Sequence, residues 1–320
     1  MPKRGCLGCS FPVLVGVLVV FLALFVVSFA SGALGRSLFG DLGLPAWLSV
    51  AQPAPQLPAE EVFSLLGFPI TNSVIAAWLT MIVLVGVSYA VTHRMKLIPG
   101  RLQSFFESAL GWVYDLCQEV AGEKNGRRFF PIVTTIFLFV IVNAWLSLFP
   151  GFGSIFVTGV EGEHVHLLRG ANTDINMPLA LALMSFVFVE YFGIKEHGGF
   201  RYLAKFINAG QFFKGVGLVF RGRLKTGLSE LFLGVINIFV GMLEALSEFV
   251  RIISFTFRLF GNMTAGEILL LIAMFLVPWL LALPFYGLEL LVGFVQALIF
   301  GGLTLVFLTL AVASHEAETA

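Results

Sequence analysis

The sequence predicts an all-α membrane protein. About six membrane helices are expected, among them a long, strongly tilted C-terminal helical hairpin, with one further amphipathic helix at the membrane surface. Three observations carry this. Of 320 residues, 58% are hydrophobic and only 12% charged, whereas soluble domains are about half apolar and about a quarter charged. Uncharged runs recur along the chain, most reaching the roughly 20 residues that cross a hydrocarbon core. Basic residues cluster between alternate runs, as the positive-inside rule requires of a chain that crosses repeatedly.

The first run, Phe11 to Ala30, follows Lys3 and Arg4, and no charge falls before Arg36. A cleaved signal peptide has an apolar core of about 7–15 residues. A retained N-terminal helix over 1–35 is therefore expected, with cleavage near Ser31 as the alternative. Residues 36–61 read as an external linker, extended over 46–58 by Pro53, Pro55 and Pro58. Further runs lie between Glu61 and His93, between Arg128 and Glu161, and from Ile175 to Val189. None shows period-two alternation, so strands are not expected in them.

Residues 101–120 differ. Leu102, Phe105, Phe106, Ala109, Trp112, Val113, Leu116 and Val120 share one helical face, and Arg101, Ser104, Glu107, Ser108, Asp115 and Glu119 fall elsewhere. That pattern predicts an amphipathic helix along the cytoplasmic surface.

From Leu228 to Ser314 the chain is again almost wholly apolar, and no proline interrupts 228–277. One helix over that span is about 75 Å long, against a hydrocarbon core of about 30 Å. Either it breaks near Gly241 or Gly261, or it lies steeply inclined. Inclination is preferred, because Glu230, Glu244, Glu248, Arg251, Arg258, Glu267 and Glu289 recur along the segment. Pro278 and Pro284 bracket the turn between the last two helices.

Lys3 and Arg4, then Arg94, Lys96 and Arg101, then Lys124, Arg127 and Arg128, then the basic residues from Lys195 to Lys225 mark the cytoplasmic side. Both termini are expected there. A net charge of zero gives no footing for nucleic acid. Cys6 and Cys9 lack a second pair to complete a zinc site, and the histidines of "EGEHVH" are expected to flank an external loop, so neither metal nor cofactor is expected. No G-x-x-x-x-G-K-[ST] sequence occurs, so ATP chemistry would belong to partners.

"SFTFRLFGNMTAGE" (254–267) places Arg258 within the apolar hairpin. A central arginine costs about 2.5–3.5 kcal/mol on insertion scales and so marks an ion path or a partner. Arg251 fits snorkelling to the headgroups better. At about 100° per residue, Ser254, Arg258 and Asn262 share a face, while Glu267 lies about 180° round and cannot pair with Arg258. On the last helix Glu289 and Gln296 share a face. Gly293, Ala297 and Gly301 form a small-residue ladder, suited to close helix approach or plain packing.

"RLFGNMTAGE" followed by "ELLVGFVQALIF" resembles subunit a of the F-type ATP synthases, the stator of a membrane proton motor. The resemblance continues in "TNSVIAAWLTMIVLV", "IPGRLQSFFE" and "ANTDINMPLALAL", in the family's order, over roughly 60–315. It implies a unit over 62–320, with 228–314 facing a ring of c subunits, that is not itself an enzyme. It further implies subunit b of the peripheral stalk, other synthase subunits and membrane lipids as partners, and protons as the transported ion; the basic clusters and the lack of a transit-peptide pattern point to a bacterial plasma membrane, with an organelle as the alternative. By position, Arg258 matches the family's essential arginine and Gln296 the glutamine facing it, with Asn262 and Ser254 as flanking polar positions. Glu267 and Glu289 match two residues of the outer half-channel, where many members carry one histidine. Asp174 matches a polar residue near the outer opening, with helix capping as its rival reading. Glu244 matches an acidic position on the cytoplasmic side. A secondary ion transporter with a midplane charged site is the alternative, but such folds show paired repeats, and the sequence has no internal duplication.

Overall fold

The computed structural model describes residues 11–40, 52–53, 58–65, 67–93, 95–159, 164–199, 202, 206, 210–220, 224–278 and 281–313. Outside them lie Lys3, Arg4, Cys6 and Cys9, most of the proline-rich linker, Arg94, the 161–163 part of "EGEHVH", Arg201, Lys205, Arg221, Arg223 and the C-terminal 314–320.

Among the described residues, six helices are long and apolar enough to cross a membrane. They are α1 (Phe11–Ser31), α3 (Asn72–Thr92), α4 (Arg101–Ser147), α5 (Asn176–His197), α7 (Leu224–Leu276) and α8 (Ala282–Val312). Two shorter helices, α2 (Ala33–Phe39) and α6 (Gly210–Phe220), accompany them. The all-α membrane fold class stands. α1 exposes almost its whole length, and only its end docks: Ser28 Oγ donates to the Pro278 carbonyl in the α7–α8 turn.

Two small hairpins depart from the sequence expectation. β1 (Glu61–Leu65) pairs with β2 (Phe68–Thr71), and β3 (Phe156–Thr158) with β4 (His164–His166), both antiparallel. The apolar runs after Glu61 and before Glu161 are thus only partly helical. Gly67, at φ +83°, supplies the left-handed turn residue that closes the first hairpin. The β-branched and aromatic side chains on either side suit a strand.

α4 holds the surface helix and the third span together. Gly122, at φ +76°, is the one non-helical residue inside it, and it lets the limb 101–121 fold back along 123–147. The Trp112 ring lies 6.2 Å from Phe137, and Tyr114 lies 5.2 Å from Phe130. The predicted apolar face is therefore shared: Val113 is buried, whereas Leu102 and Phe105 stay exposed.

α7 is continuous, and no break occurs at Gly241 or Gly261. Its 53 residues give a length of about 80 Å. α6 folds back along the first turns, where Gly215 and Gly234 permit backbone approach to Leu231 and Phe212. Asn237 Nδ2 donates to Gln211 Oε1 at 2.7 Å across the pair.

The core joins the second limb of α4 to α8, with α5 and α7 completing it. The small-residue ladder serves this seam. An atom added at Gly293 would sit 2.9 Å from the Ala144 Cβ, and one at Gly301 would sit 3.5 Å from the Phe137 Cβ. Polar bonds cross the same layers: Ser185 Oγ to Thr304 Oγ1 at 2.8 Å, and Asn143 Nδ2 to Thr80 Oγ1 at 2.9 Å. Buried hydroxyls and amides so paired add specificity without leaving an unmet donor in lipid.

Candidate functional site

At the hairpin end of the molecule a cavity of about 400 Å³ opens between α4, α7, α8 and the segments around Glu60 and 166–173. Glu267 and Glu289 both line it, together with Glu60, Arg169, His166 and Tyr286. Glu289 is 6% exposed, and its carboxyl rests on the backbone of Gly266, where any side chain would overlap it. Glu267 turns instead to Arg169, whose Nη2 lies 3.4 Å from its Oε2. The same guanidinium donates through Nη1 to the Pro58 carbonyl at 2.8 Å. Glu60 Oε2 accepts from the His166 backbone N–H at 3.1 Å and from Asn72 Nδ2 at 3.4 Å. The linker end and the 164–170 segment are thus laced across the cavity. His166 donates from Nδ1 to the Gly153 carbonyl at 2.6 Å.

Asp174 lies beside this cavity rather than on its wall. Its Oδ2 accepts from Ser73 Oγ at 2.7 Å, and its Oδ1 accepts from the Asn176 backbone and side-chain amides, each at 3.1 Å. Its carboxylate caps the start of α5 and ties it to the first turn of α3.

Arg258 stands on the other side of α7. Its Nη2 reaches Ser254 Oγ at 3.4 Å, and its guanidinium lies 5.9 Å from the centroid of the Phe255 ring. Among the described residues it has no carboxylate partner. Ser254, Phe257, Gly261 and Asn262 are all exposed on this stretch, so the face carrying Arg258 is open. Gln296 is buried on α8 and makes no hydrogen bond to Arg258. Residue spacing placed Arg258 and Glu267 on opposite sides of one helix, and the coordinates agree.

Towards the other end of α7, Glu244 is half-buried and Glu248 is buried. Arg251 pairs with Glu248 at 2.6 Å and stacks 3.6 Å from the Phe307 ring centroid, where stacking and a carboxylate together replace the water its guanidinium gives up. Nearby, the Tyr202 hydroxyl donates to Glu190 Oε1 at 3.2 Å. Burial, then the Glu190 carboxylate, pushes the Tyr202 phenol above its ordinary pKa.

Sequence reasoning missed Arg169, Glu60, Asn143 and Asn172. The first two read only as charges of external segments, 98 residues separating Arg169 from Glu267. Asn143 did carry a signal, as a polar side chain inside an uncharged run. It bridges Thr80 and the Asn172 backbone N–H, the latter at 3.3 Å.

Comparison with known proteins fits this geometry. The family model of the ATP synthase A chain matches residues 74–309. ATP synthase subunit a of Geotalea daltonii is 30% identical over 237 residues, covering 74% of this chain and 86% of its own. ATP synthase subunit a 1 of Pelobacter propionicus is 32% identical, with the same 74% and 86% covered. ATP synthase subunit a of Campylobacter concisus is 30% identical over 241 residues, covering 75% and 89%. A six-span helical chain matched over most of its length in this way belongs to the ATP synthase A chain family.

Proposed function

We propose that this chain is the non-catalytic stator subunit of an F-type ATP synthase membrane motor, carrying protons to and from the carboxylates of a c-ring through two offset half-channels. The observation that supports it best is the division of α7: a lone arginine on an open face, and a cavity lined by carboxylates on the opposite side. An ionised ring carboxylate facing lipid is prohibitive, so a ring site must be protonated before it leaves the stator. Arginine keeps its proton in proteins where lysine can lose it. Arg258 then holds each passing carboxylate in its charged form and blocks direct leak between the half-channels. Gln296, Asn262 and Ser254 flank that step.

Protons enter from outside past Asp174, Glu289 and Glu267, and after nearly a full turn of the ring they leave past Ser254 and Glu244. A membrane potential supplies about 2.3 kcal/mol per charge per 100 mV, which the lateral offset of the two paths turns into rotation. The c-ring, subunit b of the peripheral stalk and membrane lipids are the partners of this reading. A bacterial plasma membrane with both termini in the cytoplasm is its setting.

Arg258→Ala in membranes holding the assembled complex tests it. ATP-driven proton pumping is lost while the detached catalytic head still hydrolyses ATP. Retained coupled pumping refutes the assignment.

A further inference from the structure

The charged groups of the outer cavity are not equivalent. Glu60 is engaged by Asn72 and the His166 backbone, and the His166 ring by the Gly153 carbonyl. Arg169, its side chain only 10% exposed, spans from the Pro58 carbonyl to Glu267. Glu289 is buried against Gly266 and lines the same cavity, yet among the described residues it makes no hydrogen bond to protein. Gly266 and Glu267 are adjacent on α7, so the Glu289 carboxyl, reaching over from α8, ends beside the residue that precedes Glu267.

We propose that Arg169 is a positioning residue of the outer half-channel: it ties Glu267 to the external segment and leaves Glu289 as the carboxyl that exchanges protons with the cavity water. This rests on the stator reading above and narrows the exchanging group of its outer path from the two glutamates to one. To take a proton, Glu267 must give up its bond to Arg169, so its protonation works against a nearby fixed positive charge. Glu289 has no such bond to break. Its surroundings are the cavity of about 400 Å³ on one side and a bare glycine backbone on the other. Arg258, on the far side of α7, does not compete for either acid.

Passive proton conduction through vesicles holding the assembled complex, stripped of its catalytic head, tests this. Glu289→Gln lowers conduction by about tenfold or more, and Glu267→Gln lowers it far less. Releasing Glu267 then restores function: Arg169→Gln combined with Glu289→Gln conducts about threefold or more above Glu289→Gln alone. Arg169→Lys combined with Glu289→Gln stays at the single-variant level, because the ammonium keeps hold of Glu267. A merely structural role for Arg169 gives no such rescue. A double variant no faster than Glu289→Gln, with the c-ring still co-purifying, overturns the proposal. Where Arg169→Gln reduces assembly, the ranking of the two glutamate variants decides, and equal losses overturn it. Unchanged conduction in both Glu289→Gln and Arg258→Ala sinks the stator reading itself. Dependence on Arg258 without rescue sinks only the role of Arg169.

Discussion

Gly266→Ala adds a single methyl where the Glu289 carboxyl rests on the α7 backbone. The added Cβ falls inside van der Waals overlap with the carboxyl carbon and both its oxygens. Overpacking of this kind costs about 1–3 kcal/mol. If Glu289 relieves it by moving away, its population in the present position falls about 5- to 150-fold, at about 1.4 kcal/mol per tenfold. Gly287→Ala is the matched control, since its Cβ meets nothing within 4 Å and it lies on the same helix as Glu289. Both substitutions gain up to about 1 kcal/mol of helix propensity, so helix melting cannot explain a difference between them. ATP-driven acidification of inverted vesicles reads the effect, with ATP hydrolysis as the control for assembly. Gly266→Ala slows pumping at least about fivefold and Gly287→Ala leaves it unchanged. Equal pumping in the two variants refutes the claim that the position of Glu289 matters.

Asn143→Leu removes the bonds to Thr80 and to the Asn172 backbone N–H. Hydrogen bonds between membrane helices average about 0.6 kcal/mol and reach about 1.7, and an orphaned buried donor adds to that, so a loss of about 2–3 kcal/mol is expected. Thermal unfolding of the detergent-solubilised complex checks it, and an unchanged midpoint shows the network to be idle. Tyr202, raised by burial and the Glu190 carboxylate, favours its neutral phenol in the folded chain. Its contribution to stability is therefore complete below the ordinary phenol value near 10 and fades as pH rises beyond it. A difference titration at 295 nm between the wild type and Tyr202→Phe then shows one phenol ionising later than the rest, and a step in the ordinary range contradicts the bond to Glu190.

The membrane fold was legible because its physics is local. Lipid offers no hydrogen bonds, so a crossing is either a helix or a strand of a closed barrel, and long apolar helical runs are visible one at a time. Helical geometry alone separated Arg258 from Glu267, and the family resemblance rested on a contiguous motif. The absence of proline over 228–277 left either a break at Gly241 or Gly261 or one inclined helix, and the recurring charges favoured the unbroken α7 that the structure has. The hairpins β1–β2 and β3–β4 were not legible, because in apolar stretches that border the spans hydrophobic content masks strand preference.

Alone, the sequence determined the class, the crossings and the residues that carry charge into the apolar hairpin. Only the tertiary structure decided what those charges meet. Arg169 and Glu60 reach the cavity of Glu267 and Glu289 from segments far apart in the chain, the reversal at Gly122 sets the first limb of α4 against the second, and Arg251 turns to Glu248 and Phe307. The physical reason is that hydrophobic periodicity fixes which face of a helix is buried, whereas an ion pair is fixed by the distance between atoms whose separation along the chain carries no signal. Two glutamates that look alike in sequence become different groups once one of them has a guanidinium beside it.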